Sequence, residues 1–220
     1  IRNFSINFNA FCYNARFFGD KMKIYALSDD VFTPRNKLFD SISQLINAGV
    51  DLIQYRSKII PHDTQLLKNI CKYARSRGAK IIINDNAILA KQVGANGVHI
   101  GKNDGSLTQA RQILGKNAIV GVSCYDSLDL AIEAENYGAS YAAFGAVFTS
   151  STKPNATKCD LSVIKAAKQR LSIPVCAIGG INASNIAMLQ NTGVDLIAVV
   201  RACYEPFSIK ENIKALKAKF

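Results

Sequence analysis

From Met22 onward, short apolar runs rich in β-branched residues alternate with longer stretches whose apolar positions recur at helical spacing. Eight runs are predicted as strands, at 24–27, 52–55, 80–83, 97–100, 118–122, 141–144, 174–177 and 196–200. The stretches between and after them predict helices at 38–47, 63–76, 87–93, 107–114, 128–137, 161–171, 185–191 and 208–217. Strictly alternating strands and helices build a parallel sheet, and eight of each favour closure into a single (β/α)8 TIM barrel over an open sheet. The turns Ala48-Gly49-Val50-Asp51, Tyr137-Gly138-Ala139-Ser140 and Thr192-Gly193-Val194-Asp195 repeat weakly, each placing Gly where a helix must end in a left-handed residue before a strand begins. Residues 1–21, rich in Phe and Asn, lack this pattern and read as an N-terminal extension preceding a catalytic barrel at 22–220; the sequence leaves open whether they belong to the native fold. Asn and Arg interrupt them too often for a secretory signal, and no run of about twenty apolar residues predicts a membrane span.

Composition adds a sizeable core, since 49% of residues are hydrophobic and 20% charged, which excludes a disordered chain. The 27 Lys and Arg against 16 Asp and Glu give a formal charge of +11, but the cations are scattered over helix faces without interleaved aromatics. Solvated faces and attraction of anionic metabolites account for this better than nucleic-acid reading. Six cysteines without a CxxC pair suit reduced thiols and a cytoplasmic location. A homo-oligomer is left open.

In a barrel of parallel strands the site lies at the C-terminal strand ends, so the polar residues that follow each apolar run are the candidates. After the second run, alternation in Gln54-Tyr55-Arg56-Ser57-Lys58 directs an amide and two cations to one side. Asp85 and Asp104 follow the third and fourth runs; two hard oxygen ligands with room for water and phosphate oxygens suit Mg²⁺, whereas either alone could cap the next helix. His99, one of two histidines, lies within a strand, where a hydrogen-bonded core role competes with that of a base; His62 follows Pro61 in a loop. The sixth run leads into a hydroxyl-rich segment ending in Lys153, read as a phosphate-binding lid. The seventh ends in Ile178-Gly179-Gly180-Ile181 and the eighth in Val200-Arg201, where close backbone approach and helix N-termini suit phosphate.

Taken together, Gln54-x-Arg56-x-Lys58, Asn84-Asp85, Gly97 through Asp104, Gly121-Val122-Ser123, Ser150-Ser151-Thr152-Lys153 and Ile178 through Ile181 resemble the thiamine phosphate synthase family over residues 22–220. The resemblance implies a transferase that joins 4-amino-2-methyl-5-(diphosphooxymethyl)pyrimidine to a thiazole phosphate, giving thiamine phosphate and pyrophosphate. By carry-over, Gln54, Arg56, Lys58, Asn84, Ser123 and Lys153 would hold the pyrimidine diphosphate, with Asp85 and Asp104 on its Mg²⁺. Ser150, Ser151, Thr152, Gly180, Val200 and Arg201 would line the thiazole phosphate, while Arg56, Lys58, Lys153 and Ser123 would serve the chemistry. Three positions depart from the family: Ser150 for threonine, Arg201 for serine and Tyr125 for a frequent histidine. The related thiazole tautomerases use a histidine near Tyr125 and lack the hydroxyl-Lys loop, which disfavours an isomerase. A non-catalytic phosphate-binding barrel has only the Gly-Gly turn in its favour.

Overall fold

The computed structural model describes residues 22–149 and 158–220, and within them the strands close into a barrel in sequence order, β1 to β8. They are β1 (Lys23–Leu27), β2 (Leu52–Tyr55), β3 (Lys80–Asn84), β4 (Gly97–Ile100), β5 (Ile119–Tyr125), β6 (Tyr141–Phe144), β7 (Val175–Ile178) and β8 (Leu196–Val199). All neighbours pair in parallel, and β1 meets β8 in register from Lys23 opposite Leu196 to Ala26 opposite Val199. Helices α1 (Leu38–Asn47), α2 (Thr64–Ser76), α3 (Ala87–Val93), α4 (Leu107–Leu114), α5 (Leu128–Asn136), α6 (Leu161–Arg170) and α7 (Ile209–Lys217) pack outside. The expected barrel is therefore present, with strand and helix boundaries mostly within two residues of those read from the sequence.

Alternation along each strand divides the core in two. Outward residues such as Ile53, Ile81, Val120, Ala142 and Ile197 pack beneath the helices, while Tyr25, Leu52, Ile82, Tyr141, Cys176 and Leu196 fill the lumen. Gly121 has no side chain because the Tyr141 ring occupies that space; a Cβ there would overlap the ring. The five described cysteines are buried and unpaired.

Two segments differ from expectation. The seventh helix is a 3-10 helix, Ile186–Thr192, preceded by a turn in which Asn182 Oδ1 accepts from the backbone and hydroxyl of Ser184. Local side-chain bonds compete with α-helical entry there, and Asn191 and Thr192 are weak helix formers next to the left-handed Gly193. β5 runs three residues past the expected end, to Tyr125, with an irregular register between Ser123 and Tyr125.

Several cations counted in the +11 charge serve the N-terminal rim. Arg111 of α4 reaches the carbonyls of Ala118 (2.5 Å) and Gly138 (2.7 Å) and the hydroxyl of Ser140 (3.0 Å), pinning the start of β5 and the α5–β6 turn. Lys168 grips Asp195 at 2.7 Å, and Lys217 donates to the carbonyls of Ala48 and Gly49 at 3.0 and 2.6 Å. These contacts close turns and leave the opposite rim to ligands. Replacing Arg111 with Ala strands several carbonyl acceptors and is expected to cost about 2–4 kcal/mol. A thermal melt should show the midpoint falling by roughly 5–12 °C, and an unchanged midpoint would refute the staple.

Candidate active site

The C-terminal ends of β1 to β5 bring one set of side chains to a common mouth. Gln54 points into the lumen and is buried, its Nε2 donating to Tyr25 OH at 2.8 Å. Arg56 follows on the same side, half-buried, with its guanidinium 3.8 Å from Asp29 Oδ2. Its backbone is clamped by Ser28, whose Oγ donates to Arg56 O at 3.1 Å and accepts from Arg56 N at 2.8 Å. β2 ends at Tyr55, three residues before Lys58, which is exposed and whose backbone N–H donates to Asp30 Oδ2 at 2.7 Å.

Asp85 and Asp104 come close enough for the charge of one carboxyl group to act on the other. Asn84 Nδ2 donates to Asp85 at 2.5 Å, and Asp104 Oδ2 accepts from Gly101 N at 2.9 Å. Neither carboxylate caps a helix. Asn86 accepts from Leu89 N at the start of α3, and Ser106 forms a complete capping box at the start of α4. Asp85 also adopts a left-handed backbone, φ 63°, uncommon for a residue with a side chain and found more often at functional positions. Partial burial and the adjacent Asp104 push the Asp85 carboxyl up to about 6, against a smaller opposing pull from Asn84 and Arg56.

His99 sits at the mouth with Nδ1 2.9 Å from Tyr141 OH and Nε2 2.9 Å from Ser123 Oγ, so both ring nitrogens are engaged in the interior. Burial lowers its pKa to about 4, which keeps the imidazole neutral and favours the core reading over that of a base. His62 instead contacts Tyr55 OH through Nδ1 at 3.1 Å. Tyr125 at the end of β5 is another left-handed residue, φ 56°, and its hydroxyl accepts from Lys102 N at 3.4 Å beside the Asp104 loop.

Across the mouth, Gly180 has φ 64°, and a Cβ there would meet the carbonyl oxygens of Phe148 and Thr149; only glycine lets β7's end and the loop after β6 lie so close. Gly180 O is held by Asn185 Nδ2 at 2.9 Å. Val200 packs against the lumen residues. Arg201 is exposed, its guanidinium 5.7 Å from the centre of the Phe32 ring and its Nε 3.9 Å from Glu205. Ser150, Ser151, Thr152 and Lys153 lie outside the described residues, as does the 1–21 extension.

The model of a protein family described as thiamine monophosphate synthase matches residues 24–203. The chain belongs to that family. A thiamine-phosphate synthase of Thioalkalivibrio sulfidiphilus is 39% identical over 205 residues, spanning 92% of this chain and 97% of that one. One from Methylococcus capsulatus is 41% identical over 202 residues, spanning 90% and 88%. A solved thiamine phosphate pyrophosphorylase from Pyrococcus furiosus superposes with a TM-score of 0.81 at 31% identity, over 91% of this chain and 96% of that one.

Within this thiamine monophosphate synthase fold, sequence reasoning missed two groups. Asp29 and Asp30, which brace Arg56 and Lys58, follow the first apolar run and the strand-end rule could have found them. Tyr25 and Tyr141 sit inside apolar runs, and their hydroxyl roles leave no signal in the pattern. The Asp85–Asp104 pair should also show in the stability of this synthase-family member. Because Asp85 titrates at about 6 in the folded state against 3.8 for a free carboxyl, folding favours its protonated form, and its contribution is lost as pH rises from about 4 to about 6. In urea titrations without divalent ions, Asp104→Asn should therefore recover on the order of 1 kcal/mol at neutral pH after solvent screening. A variant no more stable than wild type would show that the carboxylates do not repel.

Proposed function

We propose that the protein joins 4-amino-2-methyl-5-(diphosphooxymethyl)pyrimidine to a thiazole phosphate, forming thiamine phosphate and pyrophosphate. One observation carries this reading: Gln54, Arg56, Asn84, Asp85, Asp104 and Ser123 gather at one rim of a barrel whose family and relatives are synthases. A cluster of amide, hydroxyl, cation and paired carboxylates suits a heterocycle bearing a diphosphate.

Gln54 and Ser123 bind the pyrimidine, and Arg56 takes the diphosphate, held in place by Asp29 and the Ser28 clamp. Two adjacent carboxylates that repel each other fit Mg²⁺, which accepts few protein ligands and keeps water and phosphate oxygens around it. Asp85 and Asp104 would hold it, and when bound it would offset negative charge on the diphosphate. Lys58 and Lys153 would add positive charge, and Ser150, Ser151, Thr152, Gly180, Val200 and Arg201 would take the thiazole phosphate. In the reaction the bond from the methylene carbon to the diphosphate oxygen breaks with its electron pair leaving on pyrophosphate. The thiazole nitrogen supplies the pair for the new carbon–nitrogen bond. No protein nucleophile is required, and the neutral, internally engaged His99 is consistent with that.

The protein incubated with both substrates and Mg²⁺ should release pyrophosphate in step with thiamine phosphate. No release would reject the synthase reading. Arg56→Ala should lower kcat by roughly a hundredfold or more, as loss of one preorganised charge-stabilising group does. Asp85→Asn should raise the Mg²⁺ concentration needed for half-maximal rate, and an unchanged Mg²⁺ dependence would contradict the metal assignment.

A further inference from the structure

The loop after β1 contains a turn that is closed by its own side chains. Thr33 Oγ1 accepts from Asp29 N at 3.0 Å and donates to Asp29 O at 2.8 Å, while Thr33 N donates to the same carbonyl at 2.8 Å. Asp29 Oδ1 accepts from Val31 N at 2.9 Å, and Thr33 is buried. Two groups leave this turn in different directions. Asp29 Oδ2 lies 3.8 Å from the Arg56 guanidinium, and the Phe32 ring lies 5.7 Å from that of Arg201. Phe32 is itself fixed: its ring is parallel to that of Tyr204 within 8°, at 5.8 Å, and the Tyr204 hydroxyl donates to Leu27 O at the end of β1 at 2.9 Å.

The topology explains why one turn reaches both arginines. In the closed sheet β1 lies between β8 and β2, so the loop that follows it runs between the segments bearing Arg201 and Arg56. A long side chain that is free in the empty site gives up its rotamer freedom when an anion fixes it, whereas one already held gives up less. Arg201 has much to gain from such support, because its side chain is 57% exposed and its Glu205 neighbour, 3.9 Å away and 54% exposed, is a weak, screened partner. An aromatic face offers attraction without neutralising the charge.

We propose that the 29–33 turn yokes Arg56 and Arg201 as two preset anion-binding cations, with Asp29 as the positioning residue for the first and Phe32 for the second. This rests on the proposed function, in which Arg56 takes the diphosphate and Arg201 the thiazole phosphate. Two anionic reactants repel each other as they approach, and cations fixed on either side of one rigid turn offset that repulsion with little further ordering. The serine that the family usually carries at position 201 needs no such platform, so Phe32 and Arg201 form a unit of this chain.

Calorimetry on the full chain reads both anions without turnover: pyrophosphate with Mg²⁺ is titrated into the free protein, then thiazole phosphate into the pyrophosphate-saturated protein. Phe32→Leu should weaken thiazole phosphate about fivefold or more and leave pyrophosphate unchanged, and Phe32→Tyr should restore wild-type binding. In an Arg201→Ser background Phe32→Leu should add nothing further. Thr33→Val should weaken both anions, and Thr33→Ser neither; if Thr33→Val does not fold, the Phe32 and Arg201 variants decide alone. An equal loss from Phe32→Leu with and without Arg201, or undiminished affinity for both anions in a folded Thr33→Val protein, would overturn the proposal. So would a wild type that binds neither anion. A wild type that binds both but releases no pyrophosphate from the two reactants would instead reject the synthase reading, and the variants would still support the yoke by the pattern given.

Discussion

The pairing of β1 with β8 is the constraint from which the rest follows. Those parallel hydrogen bonds turn an open sheet into a closed one, leave no edge, and force all eight strands to end on the same rim. A residue just past the end of any strand then faces a shared hollow, however far apart the strands are in sequence. Arg56 and Asp85, next after β2 and β3, Asp104 in the loop after β4 and Ser123 near the end of β5 share one rim for that reason. Closure also creates a narrow lumen that must be filled, and the tyrosines filling it carry hydroxyls that need partners. Gln54 and His99 provide them at the upper end of the lumen, and His99 reaches on to Ser123, where filling and ligand binding merge.

The two rims use charge in opposite ways. At the N-terminal rim, Arg111, Lys168 and Lys217 satisfy carbonyls and a carboxylate that end turns, and every such contact favours the fold. At the C-terminal rim, Asp85 and Asp104 sit side by side and Asp85 takes a backbone conformation that a non-glycine residue resists. The helix caps that these aspartates could have supplied come from Asn86 and Ser106 instead. Stability is given up where charge is held ready for a ligand and regained at the far end of the same strands.

The barrel and much of its rim were legible in the sequence because hydrophobic period is a local property. A strand buried on both faces must be continuously apolar, as Leu196 to Val199 is, and its amphipathic helix must keep one face apolar; neither requirement depends on distant residues. The same locality explains the errors. The period could not show that β2 ends before Lys58, that Asn182 and Ser184 turn the next helix into a 3-10 helix, or that β5 continues to Tyr125. Each depends on hydrogen bonds or pairings that the apolar pattern does not encode.

What the chain by itself determined is therefore the order of elements, the closed parallel architecture they favour, and which polar residues stand at strand ends. What only the tertiary structure decided is who meets whom: that Asp29 braces Arg56, that two aspartates nineteen positions apart share one spot, and that His99 turns inward to Tyr141 and Ser123. The physical reason is range. Side-chain periodicity is fixed by backbone geometry over a few residues, whereas hydrogen bonds and Coulomb interactions act over a few ångströms of space, and only barrel closure converts distance along the chain into proximity.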